Sequence, residues 1–195
     1  MKLNLTILLI ACLGITGCAG GVVVGGAATG AAVIHDRRSP GTVIDDQTTK
    51  WKIFDRILSD KKLFDASHIN IAVYNRSVLL TGETPTEDLK LRAHAYARHT
   101  EKVQQVHNEI RIAEPSSLSV RTNDVFLSGK VNAALLNINI EGFDVTRVKV
   151  VTENSHVYLM GLLTEQEAKA VTEKARSIKG VKKVIRLFEY ISEAG

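Results

Sequence analysis

The sequence predicts an α+β protein of two tandem copies of one small domain, each reading helix, strand, strand, helix, strand. A three-stranded mixed sheet carries both helices of a copy on one face. Three observations predict this. The segment from Ile69 to Gly82 realigns with that from Val148 to Gly161, glycine over glycine. In each segment apolar residues alternate on both sides of a polar turn at Asn75 or Asn154, which is the pattern of a short hairpin. Each glycine is then followed by a helix start, Thr84-Pro85-Thr86-Glu87 in the first copy and Thr164-Glu165-Gln166-Glu167 in the second. In such a Thr-x-x-Glu box the hydroxyl and the carboxylate satisfy backbone donors that the first helical turn leaves free.

Before the repeats, residues 1–17 read as a lipoprotein signal peptide: Lys2, an apolar run from Leu5 to Ile15, then small residues. Ile15-Thr16-Gly17 ahead of Cys18 resembles a lipobox, the pattern at which such signals are cut and the cysteine is acylated. Cys12 leaves with the signal, so no thiol remains for a disulfide, a redox step or a metal. A three-chain anchor on Cys18 buries far more CH₂ than the single chain that binds only marginally, so attachment is permanent. Ala19 stands where some lipoproteins carry a retention Asp; by that resemblance the destination is the outer membrane, with the chain facing the periplasm.

Residues 18–44 read as an acylated Gly/Ala-rich tether. Gly21, Gly25, Gly26 and Gly30 also form small-xxx-small pairs, which leaves helix packing in lipid as the other reading. The run is short of the ~20 apolar residues that span a bilayer, and it does not fit the G-x-G-x-x-G of a dinucleotide loop. The first domain is expected over residues 45–113, a linker over 114–120 around Glu114-Pro115-Ser116-Ser117, and the second domain over 121–192. The first helices carry the stripes Ile53, Phe54, Ile57, Leu58 and Leu127, Val131, Ala134, Leu135, Ile138. The last strands carry Val103, Val106, Ile110, Ile112 and Val181, Val184, Phe188, Tyr190. At about 70 residues a lone core is marginal, so the copies are expected to pack on each other.

This order of elements, with the closing glycines and the stretches Arg38-Ser39, Asp45-Asp46, Asn108-Glu109-Ile110-Arg111, Thr152-Glu153-Asn154, Met160-Gly161-Leu162 and Glu167-Ala168-Lys169-Ala170, resembles the BON domain. Two copies behind a lipobox resemble the dual-BON outer-membrane lipoproteins. The resemblance implies a non-enzymatic protein that supports outer-membrane integrity. It also implies that the second domain binds anionic phospholipid and contributes to recruitment at division sites. One departure stands out: where such a chain is expected to have Trp, this one has Phe126, which lacks the polar handle of Trp at a membrane interface.

Val125 and Phe126 lie outside the core stripe of their helix, and Lys130 follows Phe126 by one turn. An apolar side chain beside an ammonium suits an interfacial lipid site, with Arg121 as a second phosphate partner. From pattern alone, packing against the first domain fits equally well; the resemblance favours lipid. Trp51 is expected at the edge of the first core. Lys179, Lys182, Lys183 and Arg186 form a secondary basic patch near the last strand.

Nothing points to catalysis. His94 and His99 are five apart, which on a helix puts them on different faces and excludes an i, i+4 metal pair. Ser77, Ser128 and Ser155 lack a Gly-x-Ser-x-Gly context. No cofactor and no metal are expected. Lys and Arg exceed Asp and Glu by only 25 to 21, too little for a nucleic-acid binder and compatible with an anionic membrane. Envelope-assembly, cell-wall-remodelling or division proteins are the other expected class of partner, through a scaffold role.

Overall fold

The computed structural model describes residues 36–192. The processing site at Cys18, the signal peptide and the tether up to residue 35 lie outside the described residues. In chain order the elements are α1 (Pro40–Ser59), α2 (Lys61–Ala66), β1 (His68–Tyr74), β2 (Ser77–Thr84), α3 (Glu87–Arg98), β3 (Gln105–Asn108) and β4 (Arg111–Ile112), followed by α4 (Leu118–Leu135), a 3-10 turn (Val145–Arg147), β5 (Val148–Glu153), β6 (His156–Leu163), α5 (Glu165–Arg176) and β7 (Lys183–Tyr190).

Both hairpins form as the alternation predicts. β1 pairs antiparallel with β2 from His68↔Glu83 to Tyr74↔Ser77, and β5 with β6 from Val148↔Gly161 to Glu153↔His156. The turns need left-handed backbone at two successive residues, supplied by Asn75 and Arg76 (φ 48° and 63°) and by Asn154 and Ser155 (φ 53° and 63°). The closing glycines have a steric reason. A Cβ on Gly82, whose φ is +113°, would overlap the carbonyl of His68, and one on Gly161 would come within 2.7 Å of the carbonyl oxygen of Arg147. After each helical crossover the chain returns parallel to the inner strand, β3 and β4 beside β2, and β7 beside β6. Each repeat therefore holds a mixed sheet with helices on one face.

Several local expectations are corrected. The first helix starts at Pro40, not after residue 44, because Ser39 accepts the N–H of Thr42 (3.1 Å) and Pro sits at the first helical position. The linker likewise ends earlier, since α4 begins at Leu118. Thr84 belongs to β2; the cap of α3 is Thr86, which accepts from Leu89 N. In the second repeat the box at Thr164 and Glu167 forms with both of its bonds. The third strand of the first repeat is interrupted after Asn108, where Ile110 turns into the core. The short α2 was not anticipated: Asp60 caps it through Leu63 N and holds Arg92 and Tyr96, while Leu63 is buried.

Ile53, Ile57, Leu63, Val78, Leu80 and Leu89 form the core under the helices of the first repeat. Val131, Leu135, Val157, Leu159, Leu163 and Val171 do so in the second. The other sheet faces pack on each other through Ala72, Tyr74 and Leu79 against Tyr158 and Met160, with Ile185 and Leu187 at the margin. Polar contacts fix this interface: Tyr74 donates its hydroxyl to Arg147 O (3.0 Å), and Asn70 its amide to Glu153 (2.8 Å). A strap at Asp36–Arg38 adds to it. Arg37 bonds Leu162 O and forms a bidentate pair with Glu167, while Arg38 reaches Asp36 and Asp46 and stacks over the Tyr74 ring.

Candidate functional site

The helix α4 has two apolar faces. At about 100° per residue, Leu127, Val131 and Leu135 turn inward and are buried. The opposite side carries Leu118, Val125, Phe126 and Leu136, which are 78, 74, 67 and 69% exposed. Thr122, Gly129 and Ala133 lie exposed among them, so this outward face holds no charge. Over Leu118 to Leu136 it runs about 27 Å at 1.5 Å per residue.

Cations flank this face rather than interrupt it. The Lys130 ammonium lies 5.1 Å from the centroid of the Phe126 ring, so the expected pairing of apolar side chain and ammonium is made. Arg121 is on the other flank, half-buried, with its Nε donating to Ser116 Oγ (3.4 Å). It lines a crevice of about 350 Å³ between the repeats, with His68, Asn70 and Glu153. Structure therefore separates Arg121 from Phe126 and Lys130, which the sequence had grouped. Burial, and after it the charge of Arg121, holds the His68 imidazole below its ordinary pKa.

What positions α4 is an aspartate that sequence reasoning did not single out as structural. Asp124 is buried and accepts the backbone N–H groups of Asn154 (2.7 Å) and Ser155 (2.8 Å), so it clamps the β5–β6 turn to the helix. Asp46 does the same in the first repeat, taking the N–H groups of Asn75 (2.7 Å) and Arg76 (2.8 Å). A signal existed: each aspartate stands seven residues before a core residue of its helix, Ile53 or Val131. The start of α4 is further held by Glu83, which accepts from Arg111 (2.6 Å) and from Ser116 N (3.1 Å). Burial alone would raise the Glu83 pKa, but these partners outweigh it and hold the carboxyl below its usual range.

The basic patch divides. Lys182 donates its backbone N–H to Ser155 O at the clamped turn, and a Cβ on Gly180 would lie 3.5 Å from Leu127, so the loop bearing Lys179 and Lys182 sits at the Phe126 end of the repeat. Lys183 opens β7, and Arg186 lies farther along that strand, beside α5. Trp51 departs from expectation. Two residues from the buried Ile53 it points away from the core, 58% exposed, and meets Phe54 edge to face at 5.9 Å. Phe54 and Leu58, expected in the core stripe, are exposed as well. Among the described residues no group of three His, Cys, Asp or Glu is placed to hold a metal, and no helix is long and apolar enough to cross a membrane.

Comparison with known proteins gives these elements a family. The BON domain matches residues 45–114 and again 123–192. The chain is 36% identical over 189 residues to the outer membrane lipoprotein DolP of Haemophilus influenzae, covering 96% of each protein. It is 34% identical over 157 residues to the 21 kDa hemolysin of Actinobacillus pleuropneumoniae, covering 80% of this chain and 79% of that one. Among solved structures, CdsD of the Chlamydia trachomatis type III secretion system aligns with 72% of this chain and 93% of its own at 13% identity, with a TM-score of 0.30. Two matched repeats and a DolP relative spanning nearly the full length place the chain in the BON-domain family, as a DolP-like protein with two BON domains.

Proposed function

We propose that this chain is an outer-membrane lipoprotein, anchored through Cys18, whose second BON domain binds anionic phospholipid with the outward face of α4 and thereby supports membrane integrity and recruitment to division sites. The role is binding rather than catalysis. The observation that carries the reading is the uncharged face from Leu118 to Leu136, centred on Val125 and Phe126 and edged by Lys130. Four large apolar side chains left in water on one helix are unusual for a closed domain, and basic residues at the margin suit a helix lying in the headgroup plane. Lys179 and Lys182, at the same end, add to the attraction for an anionic surface at about 1 kcal/mol per basic residue. The lipobox and the similarity to an outer membrane lipoprotein support the anchor and its destination.

Burying a Phe side chain contributes about 1.5–3 kcal/mol, so Phe126→Ala is expected to weaken vesicle binding about tenfold or more. Lys130→Glu is expected to weaken it similarly and to lower its salt dependence. Sedimentation of the soluble chain beginning at Asp36 with neutral or anionic vesicles, at low and moderate salt, tests this. Equal binding to both lipids, or wild-type binding by both variants, contradicts the reading.

A further inference from the structure

The strand β7 is the outer strand of the second sheet. It pairs with β6 in unbroken register from His156↔Lys183 to Leu163↔Tyr190, and among the described residues no strand pairs with its other edge. None of its residues is fully buried. In the first repeat the corresponding edge is interrupted between β3 and β4, so two copies of one domain differ at this place. A long regular edge presents a row of unpaired N–H and C=O groups, which proteins ordinarily interrupt or cover unless a strand is meant to join.

Alongside this edge runs α5, and between them lies an open groove of about 300 Å³. Ala168 and Thr172 line it on the helix and Tyr190 on the strand, and Lys169, Arg176 and Arg186 stand around it. These cations make no ion pair with any described residue. Glu165 and Glu173 also line the groove, leaving it net positive, and Lys183 extends that charge at the strand's start. On the other face of β7, Ile185 and Leu187 sit at the margin of the apolar layer between the sheets.

We propose that β7 and α5 form a strand-addition site for an extended peptide segment of a partner protein in which acidic and apolar side chains alternate. Main-chain hydrogen bonds to the open edge supply affinity, and because successive side chains of a strand point to opposite faces, one set meets the groove and the other the apolar layer. Acidic residues fit Lys169, Arg176 and Arg186, and apolar ones extend Ile185 and Leu187. This site is separate from the lipid-facing side of α4 and stands or falls independently of it.

The test uses the full-length acylated protein in detergent micelles, a fluorescent peptide alternating valine and glutamate, and a control alternating valine and lysine. Anisotropy is expected to show saturable binding of the acidic peptide alone, with slowed amide hydrogen exchange confined to residues 183–190. Arg176→Glu with Arg186→Glu, and independently Lys169→Glu, is expected to weaken it about tenfold while leaving the melting temperature unchanged. No binding, equal binding of both peptides, or binding that leaves exchange in β7 unaltered would overturn the proposal. So would charge reversals that spare peptide binding and instead lower affinity for anionic vesicles, which would assign the groove to lipid.

Discussion

Replacing Asp124 with Ala removes the clamp between α4 and the β5–β6 turn, and the structure sets the size of the loss. The carboxylate accepts two short backbone bonds, 2.7 Å to Asn154 and 2.8 Å to Ser155, from a position only 4% exposed. Hydrogen bonds to a charged group contribute about 1.5–3 kcal/mol each. The turn is half-exposed, so water recovers part of this, and a net cost of about 3 kcal/mol is expected. For a chain of this size that corresponds to a fall in melting temperature of roughly 6–12 °C. Asp124→Asn, which keeps an acceptor but not the charge, should fall between. Thermal and urea unfolding followed by circular dichroism measure both. A cost below about 1 kcal/mol for Asp124→Ala would refute the clamp as the device that holds α4 on its hairpin.

Two further outcomes follow from the interface and the strap. Burial, only partly offset by Asn70, raises the Glu153 pKa. The folded state therefore holds its proton more tightly than the unfolded chain, and stability is lost as pH rises from the ordinary glutamate range through the raised value. Glu153→Gln should melt above wild type at neutral pH, with the gain vanishing below the ordinary glutamate range; a variant less stable at neutral pH contradicts this. The strap fixes Arg37 at Leu162 and Glu167, the far end of β6 from the turn that Asp124 clamps, about 20 Å along the strand at 3.3 Å per residue. Fully stretched, a chain from Cys18 to Asp36 spans at most about 60 Å, enough for the proposed anchor and the proposed lipid contact at Phe126 to engage one bilayer. On the proposed function, shortening residues 19–35 to a few residues should leave the proposed anchor in place but abolish the protection from hydrogen exchange expected for residues 118–136 on anionic membranes; unchanged protection would contradict that geometry.

The repeat, the hairpins and the second capping box were legible because period-two alternation and turn residues are local signals. The sheet-on-sheet interface was legible only as a need for packing. Val157-Tyr158-Leu159-Met160 is apolar on both faces of β6, the mark of a strand buried on two sides, yet alternation alone says nothing of what covers the second face. Trp51 was misplaced because a helical stripe read without its neighbours has soft edges: Thr49 and Ile53 take the core, and the indole is left outside. The one-turn spacing of Phe126 and Lys130 foretold that their side chains meet, but not that Leu118 and Leu136 are exposed on the same side of the helix. The core stripe of α4 is the stronger periodic signal, and its exposed reverse is marked only by the absence of charge. Arg121, expected beside Phe126 and Lys130 as a second phosphate partner, instead donates to Ser116 and lines the crevice between the repeats.

The most direct measurement places a reporter where the account puts the lipid. Trp51 is the chain's single tryptophan, so Trp51→Phe combined with Phe126→Trp leaves one indole on the outward face of α4. Fluorescence with neutral and anionic vesicles, the latter also carrying bromine-labelled acyl chains, then reports its surroundings. If α4 meets the membrane, the emission is blue-shifted and quenched by bromine on anionic vesicles only, and both effects diminish with added salt and with Lys130→Glu. An emission that stays that of a water-exposed indole on vesicles that bind the protein would contradict α4 as the membrane contact.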